Sequence, residues 1–213
     1  MKKSIVILGL LLVSACSSTR FVDSWRNTEV TAFQPNKLLV IGLTDNLTAR
    51  KIFEERLKTE FKQRNIDAYE STEVLDGAFT DSRKSELELD AMKEQLIADG
   101  YDAVIITAVI GVNTRQQYRS GGYYTFGPQL WYRFGPYYYR FQDVYFNPGY
   151  YNEYKVYQVE TSIYNLKKEA NKSLVWVGTF NILDPSNITN VVNDYVKKII
   201  TQLQVEGLIA APL

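Results

Sequence analysis

Apolar and polar positions follow a repeating strand–helix order after residue 36. The run KLLVIGL, Lys37–Leu43, is short and continuously apolar, which is typical of a buried parallel strand. Residues 48–64 place apolar side chains at helical spacing opposite a charged face, and this predicts an amphipathic helix. Residues 66–70 predict a second short strand. The apolar positions of the helix are Ile52, Phe53, Leu57 and Phe61.

The order continues with a helix over residues 82–99, a Gly100 at its end and a Val- and Ile-rich strand over 101–110. Residues 157–163 and 174–180 alternate and are joined by a polar hairpin loop. A last helix is predicted over Ile188–Val205. The fold class expected is therefore α/β, with a five-stranded mixed sheet in the order β-α-β-α-β-β-β-α. Three parallel strands precede an antiparallel hairpin, and helices cover at least one face.

The first sixteen residues have the features of a lipoprotein signal. Lys2 and Lys3 precede an apolar stretch that is too short to span a bilayer, and small residues lead to Ala15 and Cys16. Cleavage between Ala15 and Cys16 would leave the thiol to take a diacylglycerol and the new amine to take an acyl chain such as palmitate. The alternative is an ordinary signal peptide with a coincidental cysteine. The chain's only cysteine lies at this position, which favours lipidation.

This pattern divides the chain into a signal peptide (1–15), a lipidated tether (16–35) and a single α/β domain (36–213). The tether is expected to dock Trp25 on the domain. A Tyr-rich insertion, residues 113–152, separates strands 3 and 4. The protein is expected in the cell envelope, anchored to a membrane by its lipid. Ser17 is not the aspartate that retains enterobacterial lipoproteins at the inner membrane, which favours the outer membrane.

Composition excludes several kinds of chemistry. Cleavage after residue 15 leaves 198 residues with a net charge near −2, and no basic patch indicates nucleic-acid binding. The absence of histidine removes Ser-His-Asp and Cys-His catalysis. With Cys16 acylated, a metal site would have to be built from oxygen ligands, and no suitable spacing occurs. We therefore expect neither a cofactor nor a metal.

Residues 118–151 contain 15 aromatic residues in 34 positions, and an F-G-P unit that ends in arginine occurs twice. Three interpretations stay open: a low-complexity surface loop, a surface for a protein partner or a glycan, and contact with the lipid headgroup zone. Tyrosine and tryptophan combine a large stiff ring with a polar tip, as interfaces require. The candidate binding residues are Tyr123, Tyr124, Trp131, Tyr132, Arg133, Tyr137, Tyr138, Tyr139 and Arg140.

Carboxylates are the remaining acid–base candidates. Asp45 follows the first strand, at the edge where open α/β sheets bind ligands. The favoured alternative is that this Asp/Asn/Thr cluster caps the following helix. Arg50 and Glu54 are expected to form a surface ion pair, and Asp99 and Asp102 to be solvated. The spacing around Trp176 predicts a core residue.

Several of these segments resemble a family of uncharacterised bacterial lipoproteins. The resemblance lies in a tryptophan shortly after the lipidated cysteine, the strand KLLVIGL, the R..FE helix start, the third strand in residues 98–107 and the closing LVWVGTFNILDPS in residues 174–186. The sheet order is also similar to the TolB amino-terminal domain and to lipoproteins that activate penicillin-binding proteins or assist polysaccharide export. Neither resemblance implies an activity.

These observations favour a non-enzymatic envelope lipoprotein, held at a membrane by its N-terminal lipid, that presents an aromatic loop to an envelope protein or a glycan. Two alternatives remain: a carboxylate-dependent hydrolase or transferase centred on Asp45, and a structural lipoprotein that self-associates.

Overall fold

A computed structural model describes residues 18–75, 82–114, 134, 135, 138, 155–168, 172–183 and 187–212. The described residues form one six-stranded sheet with four helices packed against it. The strands are β1 (Thr19–Arg26), β2 (Lys37–Leu43), β3 (Asp67–Glu70), β4 (Ala103–Thr114), β5 (Lys155–Asn165) and β6 (Leu174–Leu183). The helices are α1 (Leu47–Lys62), α2 (Ser71–Val74), α3 (Glu86–Ala98) and α4 (Ile188–Val205).

The strand order across the sheet is β1-β6-β5-β4-β2-β3. Strands β3, β2 and β4 are parallel, whereas β5 is antiparallel to β4 and β6 is antiparallel to β5. This confirms the predicted mixed sheet of three parallel strands and an adjoining antiparallel hairpin. The bounds of β2 and α4 agree with those read from the sequence.

The prediction of five strands is wrong because the supposed tether contributes a sixth. Residues 19–26 pair antiparallel with β6 as strand β1, with a bulge between Phe21 and Asp23. Trp25 lies opposite Val177 in this strand and is 41% exposed. The folded unit therefore begins by Thr19 rather than at residue 36.

Helices α1 and α4 cover one face of the sheet. Their apolar faces pack on alternate residues of the strands, including Leu38 and Val40 of β2 and Ile105 of β4. Trp176 is fully buried in this layer, as predicted. A Cβ on Gly178 would lie 2.1 Å from Cη2 of Trp176, so the strand needs glycine beneath that ring. The indole and the glycine are thus one packing unit.

Helix α3 covers the other face, together with two residues of the aromatic insertion. Phe134 and Tyr138 are 3% and 4% exposed and belong to the same core layer as Leu89 of α3. The ring of Phe134 lies 6.0 Å from that of Tyr164 on β5 and 6.1 Å from that of Tyr138, both edge-to-face. Part of the insertion therefore completes the core.

The helix ends follow local sequence signals. Ser85 and Glu88 form a reciprocal capping box at the start of α3. Gly100 follows the end of that helix with φ at +88°, as its position in the sequence predicted, and Gly207 follows α4 with φ at +70°. Both positions require the left-handed conformation that glycine adopts without strain.

Asp102 closes the end of the sheet at which β2 and β4 begin. The expectation that it is solvated is wrong: it is 8% exposed and accepts hydrogen bonds from the Asn36 and Lys37 backbone N–H groups, each at 3.0 Å. The Asn36 side-chain amide donates a third bond to it. Asp99 is exposed. Burial of Asp102 fixes the entry of two neighbouring strands.

Candidate functional site

The carboxyl end of β2 is where an open α/β sheet would place a ligand. Here the loop is used to start helix α1. The Asn46 side chain accepts a hydrogen bond from the Ala49 N–H at 2.9 Å, and Thr44 Oγ1 accepts one from the Asn46 N–H at 3.2 Å. Asp45 between them is exposed. The capping interpretation of this cluster is confirmed, with Asn46 as the cap.

A buried polar cluster lies directly behind that loop, and we call it the Glu54 cluster: Gly42, Arg50, Glu54 and Ser71. Glu54 Oε1 accepts hydrogen bonds from the Gly42 N–H at 2.9 Å, Arg50 Nε at 3.0 Å and Ser71 Oγ at 2.7 Å. Arg50 Nη2 donates to Ser71 Oγ at 2.7 Å. The side chains of Arg50 and Glu54 are 4% and 0% exposed. One carboxylate oxygen thus joins β2, α1 and α2.

The prediction of an Arg50–Glu54 surface pair is therefore wrong. The charged pair lies on the same face of α1 as the apolar core positions, because the buried residues recur at helical spacing. The buried residues of α1 are Arg50, Phe53, Glu54, Leu57 and Phe61. The sequence did contain this signal. The two charges flank Phe53 on the apolar stripe, but a charged pair four residues apart is normally assigned to the solvent face.

Gly42 lies directly against this cluster. A Cβ there would lie 3.4 Å from Arg50 Cγ and from Phe53 Cδ1, and 3.6 Å from Glu54 Oε1. These are ordinary van der Waals distances, so the strand backbone at this position is in contact range of the helix that carries the ion pair. The Gly42 N–H donates to the Glu54 carboxylate from this position.

A second set of charges lies beside the Glu54 cluster. Buried Glu70 accepts from Lys51 and, at 3.1 Å, from Lys58 Nζ, which also donates to Glu73 at 2.8 Å. The hydrogen bond with Glu73 raises the pKa of Lys58, and the same bond lowers the pKa of Glu73. Each partner stabilises the charged form of the other.

A hydroxyl network continues across the sheet from Gly42. Thr107 lies opposite Gly42 on β4, and its Oγ1 is 2.6 Å from Thr161 Oγ1 on β5. Thr161 is in turn hydrogen-bonded to the Tyr195 hydroxyl of α4. The Tyr195 ring stacks on Phe53 with centroids 5.8 Å apart. Burial raises the pKa of Tyr195 above its ordinary value, so the hydroxyl keeps its proton to higher pH than an exposed tyrosine does.

These groups can hold the elements together, but they offer little to a substrate. Both Glu54 oxygens accept bonds from protein groups, the second from the Thr72 N–H at 3.4 Å, and the side chain is fully buried. An acid–base group must reach the proton that it transfers. Within the described ranges, no group of three potential metal ligands occurs. The same residues contain no helix long and apolar enough to cross a membrane.

Apolar side chains are exposed, rather than charges buried, at the end of the sheet where β1 begins. Thr19, Ile182, Tyr157 and Val112 lie side by side in one row across β1, β6, β5 and β4. The next residues beyond this row include Leu183, whose N–H donates to the Ser18 carbonyl at 2.9 Å. Val112 and Leu183 are 45% and 43% exposed. We call this the Val112 end of the sheet.

The lipidation residues predicted from the sequence, Ala15 and Cys16, lie outside the described residues. Of the candidate aromatic binding surface, Tyr138 is described, and its ring is buried in the core rather than presented to solvent. Its position four residues after Phe134 makes the pair a hydrophobic anchor. The other candidates also lie outside the described residues: Tyr123, Tyr124, Trp131, Tyr132, Arg133, Tyr137, Tyr139 and Arg140.

No protein-family model and no curated protein matches this chain. Solved structures similar to it include a PelC dodecamer from Paraburkholderia phytofirmans, at 13% identity over 87% of this chain and 96% of that chain, with a TM-score of 0.40. They also include lipoprotein GNA1162 from Neisseria meningitidis, at 10% identity over 80% of this chain and 99% of that chain, with a TM-score of 0.40. Similarity this weak assigns neither a family nor a function, and the resemblance to TolB and to activators of penicillin-binding proteins stays a prediction.

Proposed function

We propose that this protein is a bacterial envelope lipoprotein, acylated on Cys16 and acting without enzymatic activity as a binding or accessory module. The observation that best supports this proposal is the lipoprotein signal pattern at residues 1–16, which contains the chain's only cysteine. The start of the fold is compatible with a lipid at that cysteine. Strand β1 begins at Thr19, three residues later, so the lipid would be attached directly to the sheet.

The non-enzymatic part of the proposal is supported by the state of the buried carboxylates. Glu54 and Asp102 accept several hydrogen bonds from the protein, and the loop around Asp45 serves as a helix cap. Groups held in this way suit a structural role. Catalysis centred on Asp45 would require convergent polar groups around an exposed side chain.

The partner that we propose is an envelope protein or a glycan, contacted by the aromatic insertion. The chain leaves β4 at Thr114 and returns at Lys155 on β5, and these two residues are paired. Phe134 and Tyr138 anchor the intervening segment in the core. Aromatic rings concentrated in an anchored segment would provide stiff contact area. We also propose that the membrane is the outer one, since Ser17 follows the cysteine.

Mass spectrometry of the mature N-terminus tests lipidation. The N-terminal peptide should begin at Cys16 and carry the mass of a diacylglycerol, with an added acyl chain where the host supplies one. A Cys16→Ser variant should carry neither. An unmodified peptide beginning at any other residue would contradict the proposal.

Site-specific photocrosslinking in cells tests the partner. A crosslinker placed at Trp131 or Tyr132 should give a discrete adduct with an envelope protein or a glycan. Val205, which is 75% exposed on α4, is the matched control and should not give that adduct. The same adducts from the insertion and from Val205 would contradict the proposal that the aromatic insertion is the binding surface.

A further inference from the structure

We infer that the Val112 end of the sheet lies against the lipid bilayer and contacts phospholipid headgroups. The inference rests on the proposed acylation of Cys16 and goes beyond it. Acylation alone says that the protein is tethered, whereas the strand arrangement says which part of the molecule faces the membrane.

Few residues separate the proposed lipid from the sheet. Thr19 is already paired with Ile182, and the Ser18 carbonyl already accepts from the Leu183 N–H. A fully extended chain covers about 3.3–3.6 Å per residue, so Cys16 lies within about 11 Å of Thr19. The headgroup zone of a bilayer is roughly 5–7 Å thick on each side. The sheet end must therefore lie at or next to the headgroups.

The strands that surround the start of β1 extend furthest toward this end. Strand β1 starts at this end, β6 and β4 finish here, and β5 begins here, because Val112, Tyr157, Ile182 and Thr19 form one row. Strand β2 ends opposite Ala108, four residues before Val112. Because the bulge after Val109 takes up one of these residues, β4 and its antiparallel neighbours project roughly 10 Å beyond the end of β2, at about 3.3 Å per residue. It would reach the membrane before the helix starts at Leu47 and Leu87 do.

The exposed groups at this end include apolar and basic side chains. Val112 and Leu183 expose close to half of their surfaces beside the residues that lead to Cys16. Arg20 and Lys155 lie at the same end, and the Asp194 carboxylate of α4 accepts a hydrogen bond from the Thr19 N–H at 3.0 Å. Apolar side chains with basic groups beside them suit the boundary between acyl chains and anionic headgroups.

The experiment measures the depth of single positions. Because the thiol of Cys16 would be acylated, an introduced cysteine is the one site that a thiol-reactive fluorophore can label. Full-length acylated protein carrying Val112→Cys, Leu183→Cys, Leu47→Cys or Val205→Cys is reconstituted into vesicles of phosphatidylethanolamine and phosphatidylglycerol. Quenching is then measured with and without a lipid that bears a nitroxide on its headgroup. Val205 is the matched control, since α4 runs about 27 Å away from this end.

We expect strong quenching at positions 112 and 183, weaker quenching at 47, and none at 205 above the value without nitroxide lipid. Equal quenching at all four positions, or the strongest quenching at 205, would overturn the inference. Self-quenching at 112 and 183 that disappears on dilution with unlabelled protein, without lipid quenching, would also overturn it, because the occupant would then be a second copy of the chain.

Failure of this inference can be distinguished from failure of the proposed function. Protein that carries the acyl mass and sediments with vesicles, but shows no lipid quenching at 112 and 183, is a lipoprotein in another orientation. Protein without the acyl mass overturns both proposals. Substituting the label sites should leave folding intact, because all four side chains are exposed, and urea unfolding of each labelled protein checks this.

Discussion

Two regions of this molecule depart from the usual distribution of apolar residues inside and charged residues outside. The Glu54 cluster buries a carboxylate and a guanidinium, and the Val112 end exposes apolar side chains. A buried charge is costly unless it is paired within the fold, whereas exposed apolar side chains are common and draw attention here because they lie beside the start of β1. The two regions differ in what contacts these groups: other groups of the chain at the Glu54 cluster and, in our proposal, lipid at the Val112 end.

In the Glu54 cluster, hydrogen bonds from the chain itself offset the cost of burying the charges. Three donors at 2.7–3.0 Å surround Glu54 Oε1, and they come from a strand, a helix and the short helix α2. At the Val112 end, Val112 and Leu183 instead stay close to half exposed. We propose that the bilayer that Cys16 would enter contacts these two side chains. The Glu54 cluster is therefore structural, and the Val112 end is the region to which we assign a function by proposal.

The largest expected effect is on the Glu54 cluster. Glu54→Ala should lower the free energy of unfolding by about 3–5 kcal/mol, because it leaves a buried guanidinium without its carboxylate. Urea unfolding of the domain measures the change. Glu94→Ala on α3, where the side chain of Glu94 is 73% exposed, is the control and should stay within about 0.5 kcal/mol. A cost at Glu54 no larger than at Glu94 would mean that the cluster is not stabilising.

A smaller effect is expected at Asp102. Asp102→Ala should cost about 2–3 kcal/mol, because the backbone N–H groups of Asn36 and Lys37 lose a charged acceptor. Thermal or urea unfolding measures it, with exposed Asp99→Ala as the neighbouring control. Headgroup quenching at position 112 should not change, since Asp102 lies at the opposite end of β4. A change in quenching without a change in stability would contradict a purely structural role for Asp102.

Alkaline pH should weaken the core. Burial raises the pKa of Tyr101 to about 12 and the pKa of Tyr195 above its ordinary value. Above pH 10 the unfolded chain loses these protons while the folded chain keeps them, so the free energy of unfolding falls as pH rises. We expect a plateau below about pH 9 and a decline between about pH 10 and 12. Tyr195→Phe should reduce the slope, and a flat profile to pH 12 would contradict the assignment.

The smallest effect on stability is expected at the Val112 end. Val112→Ser and Leu183→Ser should each change the free energy of unfolding by less than about 0.5 kcal/mol, as should Val205→Ser. The first two should nevertheless weaken headgroup quenching of a probe at Asn113, whereas Val205→Ser should not. A loss of stability with unchanged quenching would place these side chains among the core residues.

The order of elements could be predicted because each has a strong local signal. Strand β2 is a continuous apolar run, and α4 carries a long amphipathic pattern, so their bounds agree with the structure. Strand β1 could not be recognised in the same way. Its sequence TRFVDSWR is mostly polar and its partner lies some 155 residues away, so pairing at the sheet edge decides its conformation.

The candidate site was harder to predict because it depends on which charges are buried. Arg50 and Glu54 have the spacing of a surface pair, and only the position of Gly42 and Ser71 shows that they are enclosed. Asp102 likewise looks like a turn residue until β2 is placed beside it. Tertiary partners determine both cases, whereas the proposed lipobox at Cys16 is inferred from local sequence alone.

Membrane fractionation tests the central claim, that this domain is held at a bilayer through Cys16, most directly. The wild-type chain is compared with a variant in which Cys16 is serine and a cleavable, non-lipoprotein signal peptide replaces residues 1–15. The account predicts that the wild-type protein stays with the membranes through a high-salt wash, because two or more acyl chains anchor it stably, while the variant is released. Retention of both proteins, or release of both, would contradict it.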